Sequence, residues 1–195
     1  MPRLPSSSAP VLVALAACCL LSATVRADQQ REPELKALLQ RIIGTSGCFA
    51  DKFDSDVWYK TMEPRLARLV PSHEARVEIL DHVYCEATRD PSLKLPPDLV
   101  LALIEVESRF DRWAVSPAGA VGLMQVMPFW PHALGVQNQL VRVEPNIRMG
   151  CEILRYYLRA ENRNWARALA RYNGSAGRST YPALVMQRWQ RVWRF

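Results

Sequence analysis

The sequence predicts a mainly α-helical protein. Three observations carry that expectation. Apolar residues recur at spacings of three and four in most segments, the period of a helix face and not of a strand. No stretch reads as strand-rich. Gly44, the group Pro91, Pro96 and Pro97, and Asn173-Gly174 fall between the periodic segments, where such residues end or open helices.

A chain of 195 residues is long enough for one domain with a sizeable core, a leader and some additional helices. Its composition, 49% hydrophobic and 23% charged, is that of a globular protein and not of a disordered one. The net charge of +6 favours a polyanionic environment: nucleic acid, an anionic membrane face or an acidic wall polymer. The arginines are scattered singly and form no dense tract, which argues against a nucleic-acid arm.

The first element is a leader, residues 1–27. Arg3 precedes an uncharged apolar run from Val11 to Leu21, and Val25-Arg26-Ala27 fits a small-residue cleavage site. The run is too short for a permanent bilayer span. A second cut is written in the same stretch, because Leu15-Ala16-Ala17-Cys18 has the form of a lipoprotein box. Against it, the apolar run continues through Leu20 and Leu21. The leader predicts a periplasmic protein, either free or lipid-anchored at Cys18. Beyond the leader stand Cys48, Cys85 and Cys151. Export permits a disulfide, and Cys48 with Cys85, both in the N-terminal helical region, is the favoured pair. Cys151 lies on an apolar helix face and reads as a small buried hydrophobe. His73, His82 and His132 lack ligand spacing, so no metal site is expected.

An N-terminal helical segment, residues 28–92, follows. Leu35, Leu38, Leu39 and Ile42 line a first helix. Asp54 to Leu69 reads as a second, broken at Pro64. Ser72 caps a third, with the stripe Val77, Leu80 and Tyr84. A second region, residues 93–195, opens with Pro97 at the start of a helix. From Leu99 to Val106 that helix is apolar except at Glu105, so it belongs in the middle of the domain. Glu107 stands at its end, where the helix dipole is unfavourable to a carboxylate. Ser116 to Gln125, rich in Ala and Gly, reads as a loop with close backbone packing. Asn146 then caps a helix with face Ile147, Cys151, Leu154 and Leu158, and Trp165, Leu169 and Tyr172 line another. The tail from Tyr181 is aromatic and basic. Trp113, Trp130 and Trp189 are candidates for stacking on sugars or for plain packing.

Three blocks carry the specific signal. The first is Glu107-Ser108-Arg109-Phe110 with Ala114 through Pro128 (AVSPAGAVGLMQVMP), the second Asn146-Ile147-Arg148-Met149-Gly150, and the third Ala168 through Gly174 (ALARYNG). In this order they closely resemble the signature of the lytic transglycosylase (SLT) domain family, over about residues 93–185. The resemblance implies a lysozyme-like, goose-type catalytic domain preceded by the N-terminal helical segment. It implies peptidoglycan glycan strands as substrate, no cofactor, no nucleic acid and a monomer; the leader, for its part, allows peripheral or lipid-anchored membrane association.

By the same resemblance Glu107 takes the catalytic glutamate position. Ser116 and Gln125 fall where the family contacts substrate or intermediate, and Met127 where it lines the groove. Asn146 shapes the cleft. Tyr172 and Asn173 match the pair that faces the glutamate. Tyr181, in Tyr181-Pro182, corresponds more loosely to a late cleft tyrosine, since the Glu-x-x-x-Tyr pattern of many relatives is missing, and Gly174-Ser175 departs from the commoner continuation.

The chemistry of the residues agrees. Most glycoside cleavage uses two carboxylates. Glu105 is turned about 200° from Glu107 on a helix, Glu144 has no motif around it, and Asp111 in the following loop stays open. One carboxyl suffices if the substrate brings its own nucleophile, as the C6 hydroxyl of muramic acid does. The expected activity is therefore a lytic transglycosylase giving a 1,6-anhydromuramoyl product. A hydrolytic muramidase using Asp111, and a non-catalytic wall-binding scaffold, are the alternatives.

Overall fold

The structure, a computed structural model, describes residues 52–133 and 139–195. The leader, the helix expected over residues 35–42 and Cys48 lie outside them. The described chain is helical: α1 (Lys52–Leu66), α2 (His73–Thr88), α3 (Pro97–Ser108), α4 (Phe129–Ala133), α5 (Val143–Ala160), α6 (Trp165–Tyr172), α7 (Thr180–Arg188) and a π-helical turn (Trp189–Trp193). Its only extended pairings are isolated bridges, Val115 with Val121 and Val121 with Val126. The expected mainly α class is what the chain adopts. No described helix is long and apolar enough to cross a membrane.

Helix α3 is the axis of the domain. Pro97 occupies its first turn, where the missing N–H costs nothing, and Leu99 through Ile104 are fully buried. Burying each large aliphatic side chain contributes roughly 1.5–3 kcal/mol, so this one segment anchors the core. Helices α2 and α7 and the π-helical turn all pack on it, while α5 packs between α2 and α6.

Two expectations about the N-terminal helices change. The break at Pro64 does not occur, since α1 continues to Leu66. Pro64 forfeits the one bond its N–H would make to the Lys60 carbonyl, and the flanking Met62 and Leu66, both fully buried, hold the helix in place. In α2, Ser72 caps as expected, its Oγ accepting from the Ala75 N–H at 3.2 Å. The inward stripe, however, is Ile79, Leu80, Val83 and Ala87, and Val77 is exposed. Both sets are helically spaced and share Leu80, so periodicity alone does not choose between them.

Asn146 does not cap α5, which starts at Val143 after Arg142. The expected face holds: Ile147, Cys151, Leu154 and Leu158 are all buried. Arg155, also fully buried, pairs with Glu152. It donates to the carbonyls of Leu93 at 3.1 Å, of Ala87 at 2.9 Å and of Glu86, and so ties α5 to the end of α2. Asn164 caps α6 by accepting from the Arg167 N–H at 3.0 Å.

The C-terminal residues close onto the axis. Trp193 is fully buried and meets Phe110 at 5.5 Å between ring centroids. The Phe195 N–H donates to Asp98 at 3.0 Å, and Arg65 of α1 donates to the Val192 carbonyl at 3.1 Å. Cys85 is disulfide-bonded and Cys151 is free and buried, so the partner of Cys85 lies outside the described residues.

Candidate active site

Glu107 sits in the last turn of α3, one residue before its end. The helix stops because Arg109 turns left-handed at φ 53°, its N–H bonding the Glu105 carbonyl at 3.0 Å. Phe110 follows at φ 66°. Two consecutive non-glycine residues in this region cost of order 1 kcal/mol each or more. The buried Phe110 ring against Trp193 offsets that strain. The reversal sends the chain back over the helix end, where the Ser108 Oγ donates to the Leu123 carbonyl at 2.8 Å.

Residues 114–126 form a tight loop around Val121, whose N–H and carbonyl exchange bonds with Val126 at 2.9 and 3.0 Å. Two features hold it down. Gly122 has φ +80°, and a Cβ there would fall 2.3 Å from the Leu140 carbonyl oxygen and 2.4 Å from Asn146 Nδ2. Asn146, fully buried, donates from Nδ2 to the carbonyls of Val121 at 2.9 Å and Leu140 at 2.8 Å, and accepts from the Met124 N–H at 2.7 Å. One amide thus bonds three backbone groups, two in the loop and one at Leu140, and ties the loop to α5.

The Glu107 carboxyl accepts from the Tyr181 hydroxyl. Burial pushes the Glu107 pKa up from 4.5 to about 7, against the opposing pull of that hydrogen bond. The Tyr181 phenol is itself held well above its ordinary pKa, first by burial and then by the nearby Glu107 charge. Tyr172 shows the same two causes, and its hydroxyl donates to the Met124 carbonyl at 2.7 Å. The result is a carboxyl that exchanges its proton near neutrality, with two phenols beside it that stay protonated.

Of the residues expected at the site, Glu107, Tyr172 and Tyr181 are brought together. Asn146 is fully committed beneath the loop. Gln125, at φ 49°, folds back so that Nε2 donates to the carbonyls of Ala114 at 3.2 Å and Gly122 at 2.9 Å. The Ser116 Oγ accepts from the Ala120 N–H at 3.0 Å. Met127 is half-buried against the core. Asn173 is exposed at the end of α6, its N–H on the Leu169 carbonyl at 3.1 Å. Among the described residues, none of these last four hydrogen-bonds Glu107. Trp130 is buried, whereas Trp113 is 66% exposed.

A family model described as the transglycosylase SLT domain matches residues 86–183. The chain belongs to that family. The SLT match begins inside α2 and so includes the last turn of that helix, which Arg155 grips. Relatives named membrane-bound lytic murein transglycosylase C, from Actinobacillus pleuropneumoniae serotypes 5b and 3, are each 56% identical over 34 residues. That stretch is 17% of this chain and 9% of those proteins, so the chain matches less than a tenth of their length. A solved structure of an inactive variant of the lytic transglycosylase Slt from Pseudomonas aeruginosa aligns with 72% of this chain and 27% of its own. It does so at TM-score 0.46 and 22% identity.

The sequence reading missed the environment of Glu105. It is 7% exposed; its Oε1 accepts from Arg188 and its Oε2 from the Trp193 indole N–H at 2.7 Å. Glu105 as the one charged residue in the apolar run Leu99 to Val106 is the available signal, since a buried carboxylate requires partners. Their identity was not legible, because they come from a segment more than 80 residues away.

Proposed function

We propose that this SLT-domain chain is a peptidoglycan lytic transglycosylase that cleaves the β-1,4 bond between N-acetylmuramic acid and N-acetylglucosamine, with Glu107 as its single acid and base. The observation that carries the reading is the Glu107 carboxyl, raised to about 7 by burial and bonded by Tyr181. Such a group donates and regains a proton at neutral pH. The neighbouring Glu105 has both oxygens engaged by Arg188 and Trp193, which leaves it unsuited to activating water.

In this reading protonated Glu107 gives its proton to the glycosidic oxygen as the bond to muramic C1 breaks. The positive charge that develops at C1 is met by the substrate's N-acetyl group and by polar contacts from Ser116 and Gln125. Nε2 of Gln125 is bound to its own loop, which leaves its carbonyl oxygen to accept from the sugar. The C6 hydroxyl then attacks C1, Glu107 takes the hydroxyl proton, and a 1,6-anhydro ring closes. An intramolecular nucleophile has an effective concentration of up to ~10⁵ M or more, and no metal or organic cofactor takes part. Met127 lines the groove in this scheme, and Asn146 holds the loop that shapes it. Asn173 stands at its edge.

The protein acts in the cell envelope after export, as the "membrane-bound" relatives would lead one to expect. We assign Cys48 as the disulfide partner of Cys85, a bond suited to an oxidising compartment. Digestion of isolated sacculi followed by mass spectrometry tests the reaction. Anhydromuramoyl ends are expected. Reducing ends would instead mean hydrolysis by a muramidase, with Asp111, whose Oδ1 accepts from the Trp113 N–H at 2.9 Å, as the first candidate base. A folded protein that releases nothing would be a wall-binding scaffold.

A further inference from the structure

We propose that Glu105 and Arg188 are a positioning pair that sets the Tyr181 hydroxyl on Glu107, so that the C-terminal segment is part of the active-site machinery. The inference rests on the reading of Glu107 given above. Helix α3 carries Asp98, Glu105 and Glu107 as its only acidic residues, and each is engaged by the segment from Thr180 to Phe195. Phe195 binds at the start of α3, while Arg188 and Tyr181 bind near its end.

Tyr181 and Arg188 both lie on α7, seven residues apart. At helical pitch that places them within roughly 20° of each other around the axis and about 10 Å apart along it. A helix held at one point pivots about it. Held at two points on one face, its rotation and its axial position are both fixed. The tyrosine contact is the first point and the Arg188–Glu105 ion pair is the second. Trp193, fully buried, adds its indole N–H at 2.7 Å to the other Glu105 oxygen, so the carboxylate that anchors α7 is itself immobilised. Among the described residues, the titratable groups whose charge or hydrogen bond acts with Glu107 are Tyr181 from α7 and Tyr172 from α6. Of these, only Tyr181 donates to it, and only Tyr181 rides on the helix that Arg188 clamps.

The test is a ¹³C NMR titration of the Glu107 carboxyl together with the pH profile of soluble-glycan release from sacculi. It uses wild type, Tyr181→Phe, the double variant Glu105→Gln/Arg188→Met and the combined triple variant. The double variant removes both charges at once, leaves an acceptor for Trp193 and so strands no buried ion. Far-UV circular dichroism checks that it folds, and Arg188→Lys serves as the conservative control. Loss of the Tyr181 bond raises the Glu107 pKa. We expect Tyr181→Phe and the double variant each to raise it by roughly one pH unit and to lower turnover roughly 10- to 100-fold. The triple variant should be no worse than Tyr181→Phe alone, because the two act through one contact. Arg188→Lys should restore much of the loss. A Glu107 titration unmoved in the double variant, or effects that multiply in the triple, overturns the proposal. The titration needs no turnover, so a wild type that releases no glycan refutes the transglycosylase reading and leaves the positioning claim decided by NMR.

Discussion

The Tyr181 phenol donates to the Glu107 carboxyl across a sequence separation of 74 residues, and it works against the burial that raises the same group. The two effects together leave the carboxyl near neutrality, where it serves as donor and then as acceptor.

Replacing Tyr181 with Phe removes the one contact that lowers the Glu107 pKa. The proton then stays on to higher pH, so the alkaline limb of the activity profile moves upward from about 7. Turnover at the optimum falls by roughly tenfold or more as the carboxyl loses its orientation. A pH–rate profile on purified peptidoglycan measures both changes.

Glu107→Gln abolishes lysis, at a cost of roughly 10²–10⁴-fold or more, yet stabilises the fold at alkaline pH. The folded pKa of about 7 lies above the ordinary 4.5. Stability from this group is therefore full below 4.5 and is lost as pH rises through 7. At pH above 8 the glutamine variant gains up to roughly 3 kcal/mol over wild type, and the advantage vanishes near pH 4. Urea unfolding at both pH values reads the difference.

Gly122 and Gly177 share φ +80°, but a Cβ at Gly177 meets nothing within 4 Å whereas one at Gly122 strikes the Leu140 carbonyl and Asn146. Gly177→Ala costs about 1–2 kcal/mol for the backbone conformation alone. Gly122→Ala costs more, roughly 3–5 kcal/mol, and disturbs the loop that Asn146 holds. Paired denaturation curves separate conformational strain from lack of space.

Arg155→Met strands the buried Glu152 and frees the carbonyls of Glu86, Ala87 and Leu93. Breaking one side of a buried pair costs about 3–5 kcal/mol. Arg155→Met with Glu152→Leu recovers part of that loss in the same unfolding assay, because no charge is then left buried.

Much of this arrangement was legible in the sequence, for reasons that differ by residue. The burial of α3 follows from its nearly unbroken apolar run, and its start from Pro97. Ser72 sits where a cap is chemically expected. The motif blocks contain Glu107 and Tyr172, whereas Tyr181 lies beyond all three and is matched only through the looser Tyr181-Pro182 resemblance. What stayed hidden depends on tertiary context. The end of α1 is decided by the burial of Met62 and Leu66, which overrides Pro64. Asn146 looks like a cap but serves a loop some 22 residues upstream. Arg155 and Glu105 acquire their roles only from segments that fold against them.

The amide of Asn146 has one more consequence. The Met124 N–H lies in a segment without regular secondary structure, yet it is donated to a buried acceptor at 2.7 Å, and the Val121 and Val126 N–H groups are held alongside it. Solvent deuterium reaches such groups only when the loop and the first turn of α5 open together. In a hydrogen-exchange experiment these loop amides should therefore wash in as slowly as those of the neighbouring helix, and behave as one cooperative unit with it.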